Sequence, residues 1–272
     1  MNSITLGQYF PGKSLLHRLD PRFKIVLAIL YITASFLCRN VWSFALLGIS
    51  AVALILISTI PPAIVLRGVR PILFIMLFTV VLNIFFTRGE TMLLDWWIFR
   101  IYLEGVMTAV FMVLRISVII IGTSMFLTYT TTPIALTDGI ERLLSPLKVF
   151  HLPVHEFAMM MTIALRFIPI LVEETEKIMA AQKARGADFS SGSLMQRAKA
   201  LIPIIVPLFV SAFRRADELA VAMECRCYRG GEGRTRMTVL RARPFDWITL
   251  FAAVLFCAAL LLINRFVPGY SL

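Results

Sequence analysis

The chain has 272 residues, of which 59% are hydrophobic, and its mean hydropathy is +0.84. Soluble globular domains are typically about 45–50% apolar, so this composition excludes that class. The formal net charge is nevertheless +11. We therefore expect the charged residues to be concentrated outside a lipid bilayer.

Five apolar stretches predict transmembrane helices, which need about 20 mostly apolar residues and satisfy their backbone hydrogen bonds internally. They lie at 25–38, 41–60, 71–86, 105–128 and 246–266. The resulting organisation has four parts. It consists of a cytoplasmic N-terminal arm at 1–24, four transmembrane helices within 25–128, cytoplasmic or interfacial helices within 129–245, and a final transmembrane helix with an external C-terminus within 246–272.

The placement of lysine and arginine predicts the orientation of these spans, because both residues are enriched in cytoplasmic loops. With the N-terminus inside, the cytoplasmic segments contain 22 of the 27 basic residues and the external segments contain four. The remaining one, Arg115, lies within the fourth span. This distribution predicts a cytoplasmic N-terminus.

The long segment at 129–245 shows helical composition and no alternating strand pattern. Its apolar stretches at 157–172 and 201–212 are short for a membrane span and contain Pro169, Pro203 and Pro207. Charged helical stretches at 170–185 and 211–227 follow them. We predict two long, bent helices that begin near the membrane and extend into the cytoplasm, in an all-α membrane protein.

Each of these two helices is predicted to end with an arginine in its last turn. The first end reads Ala184-Arg185-Gly186 and the second reads Cys225-Arg226-Cys227. Basic residues and glycine are common at helix C-termini, so both ends could be simple helix stops. The functional interpretation is docking: a chain that binds both halves of a two-fold dimer needs two copies of the binding element, and arginine forms forked bonds with carboxylates.

A match to the phosphate-loop pattern occurs at residues 7–14, Gly-Gln-Tyr-Phe-Pro-Gly-Lys-Ser. This pattern binds phosphate only when it follows a buried strand and opens a helix. The rest of a nucleotide-binding domain is missing, and Pro11 removes one backbone amide. We expect a turn-rich arm here and no nucleotide bound by this chain.

Metal sites are also not expected. His151 and His155 have helical spacing but are separated by Pro153, which favours a junction between a loop and a helix. Cys225-x-Cys227 lacks the spacing and the second ligand pair of a zinc site.

Two arginines and a run of methionines have both a structural and a functional interpretation. Arg115 could line a pathway or bond to carbonyls at a helix end, and the sequence leaves both open. Arg166 lies near the cytoplasmic face, where such a bond or snorkelling is favoured. The run Met159-Met160-Met161 suits a surface that accepts several partners, although ordinary packing explains it as well.

Seven segments together carry a resemblance to a known family. They are Gly7-Gln8-Tyr9 with Pro11-Gly12 and Ser14, Leu16-His17-Arg18-Leu19-Asp20-Pro21-Arg22, Thr130-Thr131-Thr132-Pro133, Leu165-Arg166-Phe167-Ile168-Pro169, Ala181-Gln182 with Ala184-Arg185-Gly186, Arg214-Arg215-Ala216-Asp217, and Ala222-Met223-Glu224. In this combination the chain resembles the transmembrane coupling subunit, EcfT, of energy-coupling factor transporters, in the shared-module form.

The resemblance implies a non-catalytic scaffold in a bacterial or archaeal cell membrane. Membrane helices would be joined to long cytoplasmic coupling helices that cross in an X. An Ala-Arg-Gly motif at the end of each coupling helix would dock one of two ABC ATPases, a homodimer or heterodimer that uses ATP and Mg²⁺. The second motif departs from this pattern at Cys225 and Cys227, and Arg229-Gly230-Gly231 is an alternative helix stop.

The resemblance also implies contact with a small membrane protein that captures a vitamin or related micronutrient, the S component. The implied contact residues lie on the membrane-side halves of the same helices. They are Met159, Met160, Arg166, Pro169, Pro203 and Pro207.

Two other classes of function remain alternatives. A self-contained secondary permease would usually show an internal repeat with polar sites at the membrane midplane, and neither is evident. An integral-membrane enzyme would call for acidic or histidine residues clustered at the membrane face, whereas the acidic residues here are scattered among basic ones. The resemblance implies no nucleic-acid partner.

Overall fold

The computed structural model describes residues 9–87, 89, 91–96, 99–150, 152–187, 189, 193–230 and 240–266. The chain divides into two compact units. Residues 7–143 and 240–272 form the membrane unit, and residues 144–239 form the inserted unit.

The membrane unit begins with helices that follow the apolar stretches of the sequence. A short helix, α1 (Leu15–Arg18), precedes α2 (Pro21–Leu37) and α3 (Val41–Ser58). Asp20 caps α2 by accepting a hydrogen bond from the Arg22 amide, and Pro21 occupies the first helical position. Both features are typical of helix starts, which explains the Asp-Pro-Arg sequence at this point.

The next helices of the membrane unit are interrupted by proline and by a hairpin. Helix α4 (Pro62–Val69) continues through a 3₁₀ turn (Arg70–Ile72) into α5 (Leu73–Phe86). A short antiparallel hairpin follows, β1 (Met92–Trp96) with β2 (Phe99–Tyr102). Helix α6 (Leu103–Thr123) then ends in a π-helix (Ser124–Thr128), and α7 (Pro133–Leu144) leads towards the inserted unit.

The Thr-Thr-Thr-Pro segment joins the π-helix to α7. The hydroxyls of Thr130 and Thr131 both donate to the carbonyl of Phe126, at 3.0 Å. The hydroxyl of Thr132 accepts from the Ala135 amide at 3.3 Å, just before Pro133 opens α7. Carbonyl and amide groups left unpaired at two helix ends are therefore satisfied by this one segment.

The last helix of the membrane unit, α10 (Pro244–Phe266), forms hydrogen bonds with both ends of α2. Asp246 accepts from the Asp20 amide at 3.1 Å. At the other end Asn264 donates to the Leu37 carbonyl at 2.7 Å. Asp246 and Asn264 are eighteen positions apart, which is about 27 Å of helix and close to the thickness of a bilayer core.

The core of the membrane unit lies where α2, α3 and α6 meet. Its buried members include Leu27, Ala34, Leu47 and Phe111. Helices α2 and α6 approach closely at Gly122, where an added Cβ would overlap the ring of the buried Tyr31.

The inserted unit contains the two long helices predicted for this region. A 3₁₀ segment (Ser145–Phe150) precedes α8 (Val154–Ala184), and α9 (Leu194–Cys225) follows. Each helix combines an apolar half with a charged half and continues through its prolines. Ser193 and Gln196 form a reciprocal capping box at the start of α9. The predicted loop at 186–193 lies partly outside the described residues.

Within the described residues, six helices are long and apolar enough to cross a membrane. They are Val41–Ser58, Pro62–Phe86, Leu103–Thr128, Val154–Ala184, Met195–Cys225 and Pro244–Phe266. The predicted count of about five differs slightly, because the sequence counted 25–38 as a span, which corresponds to the 17-residue α2, and did not count α8 and α9. The predicted class, an all-α multi-pass membrane protein, is confirmed.

Candidate docking site at the ends of two long helices

Helix α8 ends in a motif that places Arg185 at its C-cap. The Gly186 amide donates to the Lys183 carbonyl and the Ala187 amide donates to the Gln182 carbonyl, both at 3.0 Å. This pair of bonds defines a Schellman motif, whose closing residue is left-handed. Gly186 has a φ of +87°. An added Cβ on Gly186 would meet nothing within 4 Å, so the backbone conformation, and not the available space, favours glycine here.

Helix α9 ends in the same motif, with Arg226 at its C-cap. The Cys227 amide donates to the Glu224 carbonyl at 2.8 Å, and the Tyr228 amide donates to the Met223 carbonyl at 3.0 Å. Cys227 takes the place of glycine and adopts a φ of +55°. Non-glycine residues rarely adopt this conformation, which costs roughly 1 kcal/mol.

The degenerate sequence of the second motif therefore does not change its backbone. The sequence left Arg229-Gly230-Gly231 as an alternative stop, but α9 ends before it, at Cys225, and Cys227 closes the motif. Gly230 also has a positive φ, of +89°, three residues further on. Gly231 lies outside the described residues.

The two arginines are consequently presented in equivalent ways. Both follow the last helical residue, both are exposed, and both are flanked by exposed residues, Ala184 and Gly186 in one case and Cys225 and Cys227 in the other. Each end directs the partial negative charge of its helix towards the cation beside it. Two guanidinium groups held by identical backbone motifs suit a partner with two similar acidic grooves.

An ion pair joins α8 and α9 between these ends. Arg215 donates to the Glu174 carboxylate at 3.1 Å, and the Ser211 hydroxyl, one turn before Arg215, bonds to the same carboxylate. Glu174 lies eleven residues before Arg185, and Arg215 lies eleven residues before Arg226. Each arginine is thus about 16 Å of helix beyond the contact that joins the two helices.

The predicted S-component contacts lie on the apolar halves of the same helices. Met160, Arg166, Pro169, Pro203 and Pro207 are exposed, and Met159 is half-buried. Large apolar side chains around them are also exposed, including Phe157 on α8 and, on α9, Ile202, Val206, Phe209 and Phe213. The spacing of the α9 residues places these four on one face of the helix.

Arg115, in the membrane unit, has a structural arrangement. Its guanidinium donates to the carbonyl of Cys38, the C-cap of α2, at 3.1 Å and lies 5.2 Å from the centre of the Phe44 ring. Of the two interpretations left open by the sequence, this matches a bond to a helix-end carbonyl.

The phosphate-loop match lies in an arm whose polar groups bond to each other. Gly7 and Gln8 are outside the described residues, but the Ser14 hydroxyl bonds to the His17 ring at 2.7 Å, and the ring bonds to the Phe10 carbonyl at 2.8 Å. A four-residue helix follows, α1. Within the described part of the chain, no group of three or more His, Cys, Asp or Glu side chains could hold a metal ion. His151 falls outside it.

Sequence reasoning did not identify two sets of residues. The Glu174–Arg215 pair was visible only as charged helix composition, although its equal spacing from the two terminal arginines could have indicated it. The contacts of Asp20 with Asp246, which are 226 positions apart, had no local pattern at all.

Comparison with known proteins places this arrangement in a family. A family model described as cobalt transport protein, CbiQ, matches residues 12–239. An energy-coupling factor transporter transmembrane protein, EcfT, of Ruminiclostridium cellulolyticum is 52% identical over 264 residues, covering 97% of this chain and 98% of that protein. The chain belongs to the EcfT/CbiQ family.

Two further relatives extend the match. EcfT proteins of Clostridium kluyveri and Bacillus subtilis are 52% and 47% identical, covering 96% of this chain in each case and 97% and 98% of those proteins. The EcfT/CbiQ match includes both helix ends with Arg185 and Arg226. The resemblance drawn from the sequence is therefore confirmed.

Proposed function

We propose that this chain is the transmembrane component of an energy-coupling factor importer, which couples ATP hydrolysis by partner ATPases to the uptake of a vitamin or related micronutrient. The chain acts as a scaffold and not as an enzyme. It binds no nucleotide or metal cofactor itself, and ATP and Mg²⁺ are used by two ABC ATPases. Membership of the EcfT/CbiQ family supports this role.

The observation that carries the proposal is the equivalence of the two helix ends. Arg185 and Arg226 share one backbone motif and lie at equal distances along their helices from the Glu174–Arg215 pair. An isolated helix stop needs neither property. A chain that must bind two related ATPases needs both, because a single polypeptide has no two-fold axis of its own.

The apolar halves of α8 and α9 serve a second partner in this proposal. Their exposed side chains, Met160, Phe209 and Phe213 among them, form an apolar surface suited to a small membrane protein that delivers the substrate. The excess of basic residues in the segments assigned to the inside supports a cytoplasmic N-terminus and cytoplasmic docking ends in a bacterial or archaeal cell membrane.

Charge reversal at both docking arginines tests the proposal. We expect Arg185→Glu with Arg226→Glu to abolish capture of the ATPases by the tagged chain, because two cations that face acidic grooves become anions. The measurement is affinity purification from the native membrane followed by mass spectrometry. The matched control, Lys183→Glu with Arg229→Glu, makes the same change in charge next to the helix ends and should retain the ATPases.

Intact ATPase capture by the double arginine variant would contradict docking at these ends. A wild-type chain that purifies alone and moves a solute in liposomes would instead establish the alternative, a self-contained secondary permease.

A further inference from the structure

Four charged side chains, three of them buried and one, Arg22, partly exposed, form a cluster at the start of α2, which we call the polar knot: Asp20, Arg22, Lys24 and Asp246. Lys24 and Asp246 are 2% and 1% exposed, and Asp20 is 7% exposed. Arg22 forms a forked ion pair with Asp20, with N–O distances of 3.0 and 3.2 Å. The formal charges of the four groups cancel, which is the condition for keeping them away from water.

The polar knot also binds backbone groups from distant parts of the chain. Lys24 donates to the Thr130 carbonyl at 2.7 Å, and Arg22 donates to the Leu240 carbonyl at 3.0 Å. Asp246 accepts from the amides of Asp20, at 3.1 Å, and Arg243, at 2.7 Å. Three separate segments are thereby held by one cluster.

Two of these segments are the connections to the inserted unit. Thr130 lies just before α7, which runs to residue 144, where the inserted unit begins. Leu240 is the first residue after the inserted unit. Helix α7 itself packs on the first turn of α2: a Cβ added to Gly139 would lie 3.1 Å from the Cβ of Pro21. The first turn of α2 therefore contacts both connections.

We infer that the polar knot transmits movement of the inserted unit to the membrane helices. This inference rests on the proposed function, in which ATPases move the ends of α8 and α9. A flexible connection without such contacts would not transmit this movement to the membrane helices. Here a displacement of residue 240 acts on α2 through Arg22, and a displacement of α7 acts on α2 through Pro21 and through the bond between Thr130 and Lys24. Thr130 also connects α7 to the π-helix that ends α6, because its hydroxyl donates to the Phe126 carbonyl. Arg22 and Lys24 are positioning residues in this role.

Energetic reasoning supports a role beyond stability. Replacing a buried charge cluster by well-packed apolar residues is often neutral or stabilising, so such a cluster is weak evidence for a contribution to stability alone. Unlike apolar packing, its hydrogen bonds are directional, so they fix the positions of the Thr130 and Leu240 carbonyls relative to α2.

The test measures which parts of this chain respond when nucleotide binds to its purified complex with the ATPases. Hydrogen exchange is measured with and without the non-hydrolysable nucleotide AMP-PNP. In the wild type we expect AMP-PNP to change exchange rates about fivefold in peptides covering residues 20–30 and 124–134. In Arg22→Ala the change should remain in the inserted unit and be reduced at residues 20–30, because the route from residue 240 is lost while the route through Pro21 remains; ATPase capture should be unaffected.

Two further variants keep the test decisive. Arg18→Ala removes the same charge from an exposed position one turn earlier and should respond to AMP-PNP like the wild type. If Arg22→Ala yields no folded complex, Arg22→Lys keeps the charge but not the fork that reaches both Asp20 and Leu240, and should lose part of the response.

The outcomes distinguish the inference from the function on which it rests. A wild-type response at residues 20–30 that persists undiminished in both Arg22 variants would overturn the role of the polar knot, as would the absence of any such response in the wild type. Failure of the wild-type chain to capture ATPases would overturn the proposed function, and the inference with it.

Discussion

At the scale of single residues, the second docking end shows that a backbone conformation can persist when its usual residue is replaced. Gly186 and Cys227 close the same Schellman motif with φ values of +87° and +55°. Only glycine adopts this region without a penalty from its Cβ. Two bonds, from the amides of Cys227 and Tyr228, offset that penalty at the end of α9.

Substitution of Cys227 tests this account. We expect Cys227→Gly to preserve or stabilise the helix end, and Cys227→Val to destabilise it by roughly 1 kcal/mol, because a β-branched residue is least tolerated at positive φ. The measurement is hydrogen exchange in the peptide covering residues 223–230, where valine should accelerate exchange about fivefold. Cys225→Val, which places the same side chain at a helical position, is the control. Equal acceleration in both valine variants would contradict the conformational explanation.

At the scale of elements, the relative positions of Arg185 and Arg226, the proposed docking arginines, depend on where α8 and α9 touch. The Glu174–Arg215 pair joins the helices, and eleven residues separate each partner from its own terminal arginine. A partly exposed ion pair contributes at most about 1 kcal/mol to stability. We therefore expect its role to be geometric. If the contact shifted along one helix, Arg185 and Arg226 would no longer lie at equal distances from it.

Exchange of the two charges tests the geometric role. We expect Glu174→Arg to weaken ATPase capture at least about fivefold, because two guanidinium groups would then repel at the contact, and we expect the exchange Glu174→Arg with Arg215→Glu to recover most of the loss. Quantitative pull-down of the ATPases is the measurement. The control is Glu173→Arg, an exposed neighbour with the same change in charge. A loss in the control as large as in Glu174→Arg, or no recovery in the exchange variant, would argue against this role.

At the scale of the whole molecule, charge and apolarity are separated along the chain. The apolar helices of the membrane unit contain few charges, whereas 16 of the 27 basic residues lie within residues 128–245. In the proposed function the charged parts of this segment face the cytoplasm, and the excess of arginine and lysine supports that orientation. Both docking ends would then be on the side where ATP is available.

Labelling of cysteines tests this orientation. We expect a membrane-impermeant maleimide to modify the exposed Cys225 and Cys227 in inverted vesicles from cells that express this chain without the ATPases, and not in intact cells. Arg39→Cys, in a chain whose native cysteines are serine, is the opposite control, because this exposed position between α2 and α3 should react from outside. Labelling of Cys225 and Cys227 in intact cells would show the reverse orientation.

Several features were predictable because they depend on neighbours in the sequence. The apolar stretches predicted α3, α6 and α10 to within a few residues, since a span needs continuous apolar length. The charged, alanine-rich stretches before Arg185 and Arg226 predicted the ends of α8 and α9, because helix stops have local patterns. The hairpin of β1 and β2 was not predicted: it lies between the spans at 71–86 and 105–128, and its pairing is a contact between two segments.

The sequence alone thus determined the class, the helices and the two terminal arginines, since each follows from composition and spacing within about twenty residues. The tertiary structure decided which residues meet. It placed Cys227 in the conformation of glycine, joined Glu174 to Arg215 across two helices, and brought Asp20 to Asp246 from opposite ends of the chain. Such contacts arise from packing between segments distant in the chain, and no local pattern of residues specifies them.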